Sequence, residues 1–334
     1  MAVQQGRPNA VTAAEARAGT HVLGIFENPL NTRILRAHAD GAKRFAELER
    51  KVGWSAPTTL RAAVSRLCDL GALRKLTVRA SPYAVATALT RLGEEMLLVA
   101  AELEAWLGHC PQGPAALDGE VAKVVIKALG GGWNSTLMRA LSSAPVGLVE
   151  LSRLIPDVSY PALERRMGWM RSTGQIEPVE TGERSTPYIA TRWLRQAVAP
   201  ICVAGRCERR HMGEVSPRAT SVEVETAFLL AVPLAPLRGD ATGCCMLGVQ
   251  IESDDVATDG PVLAGVTVDL AGGELLFCEP ARDAEPPTWA VGPSTAWLDA
   301  VIDGSIEGLR IGGADPQLAL DLIAGIHCGL FTDR

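Results

Sequence analysis

Several things are scarce in this 334-residue sequence, and each scarcity removes a class of protein. No apolar run approaches the ~20 residues a membrane helix needs, so no spanning segment and no membrane partner is expected. The eight cysteines are Cys68, Cys110, Cys202, Cys207, Cys244, Cys245, Cys278 and Cys328. None forms a Cys-x-x-Cys pair, and none has a histidine at zinc-ligand spacing, so no metal is expected. They read as reduced thiols, which points to a cytoplasmic chain. The five histidines, His21, His38, His109, His211 and His327, are scattered. No Gly-x-Ser-x-Gly elbow, phosphate loop or dinucleotide fingerprint is present. His327 and Cys328 are adjacent, but neighbours on a helix point about 100° apart and cannot face each other. Neither enzymatic activity nor a cofactor is therefore expected. The first residues lack the basic-then-apolar layout of a secretory signal, and 1–20 read as a flexible tail.

What is present is an apolar fraction of 47% and an uneven charge. The net charge of −6 conceals +4 over residues 1–110, +4 over 111–213 and −14 over 214–334. A basic part joined to an acidic part suggests nucleic-acid binding coupled to another task.

The most informative stretch is 43–83. Two short amphipathic helices, KRFAELERKV and PTTLRAAVSRLCDL, flank Gly53-Trp54-Ser55, with Pro57 at the first helical position and Gly71 as a stop. A basic strand over 73–78 turns near Ala80-Ser81-Pro82. This is the order of a winged helix-turn-helix, whose second helix enters the DNA major groove. Leu60, Val64, Leu67 and Leu70 recur at helical spacing and must face a core. Thr58, Thr59, Arg61, Ala62 and Ser65 are left outward. Small and polar side chains let a helix approach base edges, and an arginine can fork onto guanine. From Lys43 to Arg79 nine Lys or Arg face three Asp or Glu, a net +6 suited to phosphates. Arg61 and Arg66 are candidate base or phosphate contacts. Lys43, Arg44, Arg74, Lys75 and Arg79 are candidate phosphate contacts.

A shift of 103 residues sets 22–73 against 125–176 without a gap. Leu60, Val64 and Leu67 meet Leu163, Met167 and Met170, and Gly71 meets Gly174. Two copies of one supersecondary unit are expected. The second is the poorer DNA reader: five basic against six acidic residues lie in 144–184, and its wing carries Glu177, Glu180 and Glu183. Arg165 and Arg166 are its candidate contacts. Each copy closes with a longer helix, the second broken by Pro200.

Arg44-Phe45-Ala46-Glu47-Leu48, Gly71 and Leu89-Thr90-Arg91-Leu92-Gly93 in the first copy, and Gly131-Gly132-Trp133 in the second, resemble the HxlR-type (MarR-like) winged-helix transcriptional regulators. The second copy has Gly147-Leu148 where that pattern has Arg-Phe. The resemblance implies regulators that usually pair as homodimers with one unit per chain. Two units in one chain could imitate that dimer.

From Thr220 the texture changes. TSVEVETAFLLAVPLAPL, CMLGVQIES, GPVLAGVTVDL, GELLFCEP and SIEGLRIGG read as strands, and STAWLDAVIDG and DPQLALDLIAGIHCGLF as helices. The order of Trp289, Thr295 to Asp299, Gly304, Leu309 to Gly312 and a closing apolar helix is similar to the tail of sterol carrier protein type 2 domains. That resemblance implies a cavity for an apolar small molecule between sheet and helices. Candidate lining residues are Phe228, Phe277, Trp289, Trp297, Ile323 and Phe331, with Trp133 and Trp169 offered by the second copy.

The expected architecture is α+β: a tail (1–20), two tandem winged helix-turn-helix domains (21–110 and 120–213) joined by a linker (111–119), and a smaller, sterol-carrier-like α+β domain (214–334). The expected partners are operator double-stranded DNA and an apolar small-molecule effector, with self-association left open. The alternative is a protein that sequesters an apolar molecule on a scaffold that no longer binds DNA.

Overall fold

Helices and a small antiparallel sheet build the first part of the described chain. In the computed structural model, residues 19–53, 55–77, 85–129, 134–180, 186–213, 218–251, 262–281 and 287–332 are described. Most of the expected tail, Trp54, Arg79, the turn at 80–82 and Trp133 lie outside them.

Helices α1 (Thr20–Phe26) and α2 (Pro29–Ala37) lead into strand β1 (Lys43–Arg44), α3 (Phe45–Val52), α4 (Pro57–Asp69), β2 (Leu73–Thr77), β3 (Val85–Leu89) and α5 (Arg91–Gly108). Lys43 and Arg44, expected to open a helix, pair instead with Thr87 and Ala86. The helix begins two residues later than expected, at Phe45, and the Glu47 carboxylate accepts from the Arg44 backbone N–H at 3.0 Å. Leu60, Ala63, Val64 and Leu67 bury one face of α4. Gly71, at φ 84°, turns the chain out of α4 in a conformation that other residues rarely adopt. The strands form an antiparallel sheet in the order β1-β3-β2.

The middle of the chain runs through α6 (Glu120–Leu129), α7 (Asn134–Ser143), α8 (Leu148–Leu154), α9 (Tyr160–Ser172), β4 (Ile176–Pro178), β5 (Tyr188–Ala190), α10 (Arg192–Gln196) and α11 (Val198–His211). Helices α4 and α9 correspond end to end at the 103-residue shift. Their hydrogen bonds correspond too: Leu60 N–H to Ala56 O and Leu163 N–H to Ser159 O are both 3.0 Å. Gly174 repeats the positive φ of Gly71 at 74°. Thr90 caps α5 by accepting from Gly93 N–H, and Thr191 caps α10 by accepting from Leu194 N–H, both at 3.2 Å. The second set has a smaller, two-stranded sheet. Its closing helix breaks at Ala197 rather than at Pro200. Pro200 sits in the first turn of α11, where its missing N–H leaves no bond unmade.

The stretch 111–119 is packed against both sets. Leu117 is fully buried, Asp118 pairs with Arg33 at 2.8 Å, and the Gln112 side chain donates to Ser172 O. Trp106 and Trp193 stack with centroids 4.6 Å apart. Each indole N–H donates to the other residue's carbonyl, at 2.8 and 2.9 Å. Beside them α11 packs along α5 and α1.

The last part holds α12 (Ser221–Ala231), β6 (Gly243–Ile251), β7 (Val262–Ala271), β8 (Glu274–Pro280), β9 (Thr288–Pro293), α13 (Ser294–Asp303), β10 (Arg310–Gly313) and α14 (Pro316–Phe331). The stretch expected as its first strand is α12 instead. Thr220 and Glu223 form a capping box there, and Phe228 to Ala231 are all buried, because α12 lies between α7 and β7. The sheet order is β10-β9-β6-β7-β8, with β6 and β9 parallel and the other pairs antiparallel. Strand β9, which contains Trp289, was not expected. Among the described residues no helix is long and apolar enough to cross a membrane.

Candidate nucleic-acid interface and apolar cavity

Burying Leu60, Ala63, Val64 and Leu67 forces the opposite face of α4 into solvent. Thr58, Thr59, Arg61, Ala62, Ser65 and Arg66 are all exposed. The Arg61 guanidinium carbon lies 4.7 Å from the centre of the Phe45 ring on α3, a cation–π contact that holds the side chain without covering it. Arg44 on β1 and Arg74 and Lys75 on β2 are exposed as well. Lys43 is the weaker candidate: its side chain is 13% exposed and its ammonium lies 2.8 Å from Asp40. Lys51 binds the other Asp40 oxygen at 2.6 Å. These two hydrogen-bonding ammonium groups hold the Asp40 carboxyl well below the usual carboxylate range.

Beneath this surface His38 is buried. One ring nitrogen lies 2.7 Å from Ile34 O and the other 2.9 Å from Thr87 Oγ1. Burial lowers its pKa, so the neutral ring is the form that fits.

Helix α9 presents a different face. Arg165 is exposed, but Arg166 is only 5% exposed and so does not stand on the outward side that a DNA contact requires. It occupies the core-facing position that Ala63 holds in α4. Glu164 stands where α4 has Arg61, and the 49%-exposed Trp169 where α4 has Arg66. Glu177 and Pro178 replace Arg74 and Lys75.

The aromatic residues expected around one ligand do not come together. Trp169 is exposed on α9 and Phe277 is 41% exposed on β8. Trp289 packs over Gly312 on β10, where an added methyl would meet the indole ring at 2.6 Å. Ile323 is buried and Phe331 half-buried on α14, and neither lines the cavity. Phe228 and Trp297 do converge, edge to face with centroids 5.0 Å apart. They line a cavity of about 160 Å³. Sequence reasoning missed its other walls: Met138 of α7, and Val198, Ile201, Cys202 and Gly205 of α11. No sequence signal placed those helices beside α12 and α13, because that docking is long-range. It is fixed by Thr226 Oγ1–H donating to Ser135 O at 3.0 Å, by Arg139 pairing with Glu225 at 2.9 Å, and by Arg195 donating to Leu229 O at 2.9 Å.

Burial pushes the thiols of Cys202, Cys207, Cys245 and Cys278 up to about 12, away from the reactive thiolate. Among the described residues no cluster of three or more His, Cys, Asp or Glu could hold a metal ion.

Residues 27–112 match the HxlR-like helix-turn-helix family. The match runs from the residue before the Asn28 cap of α2 to just past α5, and takes in α4 and its exposed face. That segment is thus similar to an HxlR-like helix-turn-helix. No curated protein matches the chain.

Proposed function

We propose that this chain is a DNA-binding transcriptional regulator that reads duplex DNA with α4. Arg61 and Arg66 reach for bases or phosphates, Thr58, Thr59, Ala62 and Ser65 let the helix into the groove, and Arg44, Arg74 and Lys75 hold the backbone. The observation that carries this reading is the exposure of the whole outward face of α4 within a segment that matches a helix-turn-helix family.

The elements from α6 to α11 are read as a second winged-helix unit that serves as the first unit's internal partner, making a pseudo-dimer in one chain. Its acidic substitutions repel phosphates, which leaves Arg165 and Arg171 as the exposed cations on α9. The acidic α+β part, with its likeness to the sterol-carrier tail, is read as the place where an apolar effector binds. An effector that reorients α4 releases DNA, because recognition elements must keep a spacing of about 34 Å per duplex turn.

The test is fluorescence anisotropy of the full chain on the DNA upstream of its own coding sequence, at low salt. Binding is expected, and Arg61→Ala should weaken it by about 1–3 kcal/mol, the worth of one good base contact. A chain that stays free of that DNA at low salt would overturn the reading. It would favour the sequestering alternative, which the cavity and the reversed charges at Glu164 and Glu177 support.

A further inference from the structure

We infer that the cavity among α7, α11, α12, α13, α14 and β6 is an effector site for a compact, uncharged, ring-sized apolar molecule, rather than a chamber for a long-chain lipid. The inference deepens the reading of the acidic part as effector-binding and rests on it. It does not depend on DNA binding.

Six elements each contribute an apolar wall: Met138 (α7), Ile201 (α11), Phe228 (α12), Val249 (β6), Trp297 (α13) and Ile326 (α14). The space is half open to solvent, so its volume bounds the part of a guest that the walls can enclose. The volume of about 160 Å³ sets the scale of the guest. A hydrocarbon-lined cavity of ~150 Å³ stays dry and takes up benzene, whereas sites for drug-sized ligands begin near ~300 Å³.

The chemistry of the walls narrows the class further. The Trp297 indole N–H is already given to Gly248 O at 2.7 Å, so that ring offers a guest only its apolar surface. The edge-to-face Phe228–Trp297 pair leaves ring surface for a third flat apolar group. Two charged residues, Arg209 and Glu223, line the cavity, and being of opposite sign they favour neither an anion nor a cation. The Glu223 carboxylate is also engaged, accepting from Thr220 N–H at 2.8 Å.

Helix α11 ties this space to the first unit. Ile201, Cys202 and Gly205 line the cavity, while Glu208 on the same helix accepts from Gly19 N–H at 2.7 Å and Val22 N–H at 2.8 Å, at the start of α1. His211 and Arg210 reach Glu95 of α5 at 3.1 and 3.8 Å, and Arg206 and Arg210 reach Asp299 of α13 at 3.5 and 3.6 Å. A guest that pushes α11 from α13 therefore moves helices that carry the α4 unit.

The test titrates the full-length chain with benzotrifluoride and reads 19F line broadening, with palmitate as the long-chain comparison. Saturable broadening is expected with benzotrifluoride, without displacement by palmitate. Ala227→Phe, which fills the cavity from α12, should weaken binding at least tenfold while melting and circular dichroism stay native. Leu298→Trp serves the same purpose if that variant does not fold. Absence of broadening in the parent chain, equal broadening in a folded filled variant, or preferential binding of palmitate would each overturn the inference. Operator binding is measured in parallel. Benzotrifluoride binding without DNA binding would sink the regulator reading alone, and DNA binding without benzotrifluoride binding would sink this one alone.

Discussion

Helices α4 and α9 have the same length, the same buried positions and the same hydrogen bonds at the ends, yet their solvent faces are unlike. Arg61, Arg66, Arg74 and Lys75 in the first unit stand opposite Glu164, Trp169, Glu177 and Pro178 in the second. Three of the four buried positions of α4 have apolar counterparts in α9, while four cationic surface positions of the first set do not have cationic counterparts in the second. A scaffold needs Leu60 or Leu163 to hold its helix down, whatever the helix then presents. A phosphate contact needs a cation at one place only. The contrast separates what the fold demands from what DNA demands. It also explains why Arg166 is buried: it replaces a core alanine, so its register, not its charge, decides where it points.

The largest expected effect tests the likeness of the two units. Leu60→Ala and Leu163→Ala should each cost about 2–5 kcal/mol in urea denaturation, because both side chains are fully buried. A near-neutral result at either position would break the structural equivalence.

The next effect tests the dependence of one unit on the other. Glu208→Ala removes the acceptor for the Gly19 and Val22 amides and should cost about 1–3 kcal/mol, the cost of leaving buried donors unpaired. Hydrogen exchange at those two amides should rise well above that of the parent. Unchanged protection would show that α1 does not need α11.

Thr90→Val and Thr191→Val should then cost about 1 kcal/mol each, since both hydroxyls cap the helix that follows a wing. Thermal melts of the two variants would show whether the caps carry equal weight.

Smaller again is a pH slope that belongs to the first unit alone. His38 lies opposite Leu141 at the 103-residue shift. Burial holds the His38 pKa below the ordinary imidazole value of about 6.5, so between the two values the unfolded chain binds a proton that the folded chain does not. Stability present above that value is lost as pH falls through it toward the folded pKa. Urea midpoints at about pH 7.5 and pH 5.5 should differ less in His38→Leu than in the parent. Equal differences would show that His38 is not the group responsible.

Much of the first unit was legible because its signals are local. Leu60, Val64 and Leu67 recur on one helical face, Pro57 opens that helix, and Gly71 closes it. The strands β6, β7 and β8 were legible from short apolar runs between turn residues. Helix α12 was not, because it is buried against α7, α11 and β7 and so shows no one-sided apolar stripe. Its only local mark is the Thr220–Glu223 capping box, which outranks the run of apolar residues behind it. Phe277 was placed by residue type, but it lies at the register shift between β7 and β8, where alternation breaks and Leu276 and Phe277 are both exposed. The cavity was half legible. Phe228 and Trp297 come from the part expected to hold it, and Ile201 and Met138 come from helices brought there by docking over a long sequence separation.

The most direct test of the central proposal, that the first unit makes most of the phosphate contacts and the second few, is the salt dependence of affinity for the upstream DNA. Each lost phosphate contact lowers the slope of log K against log salt by about 1. The account predicts a slope lower by about 2–3 in Arg44→Ala/Arg74→Ala/Lys75→Ala and a slope close to the parent's in Arg165→Ala/Arg171→Ala. An equal drop in both variants, or a drop confined to the second, would contradict it.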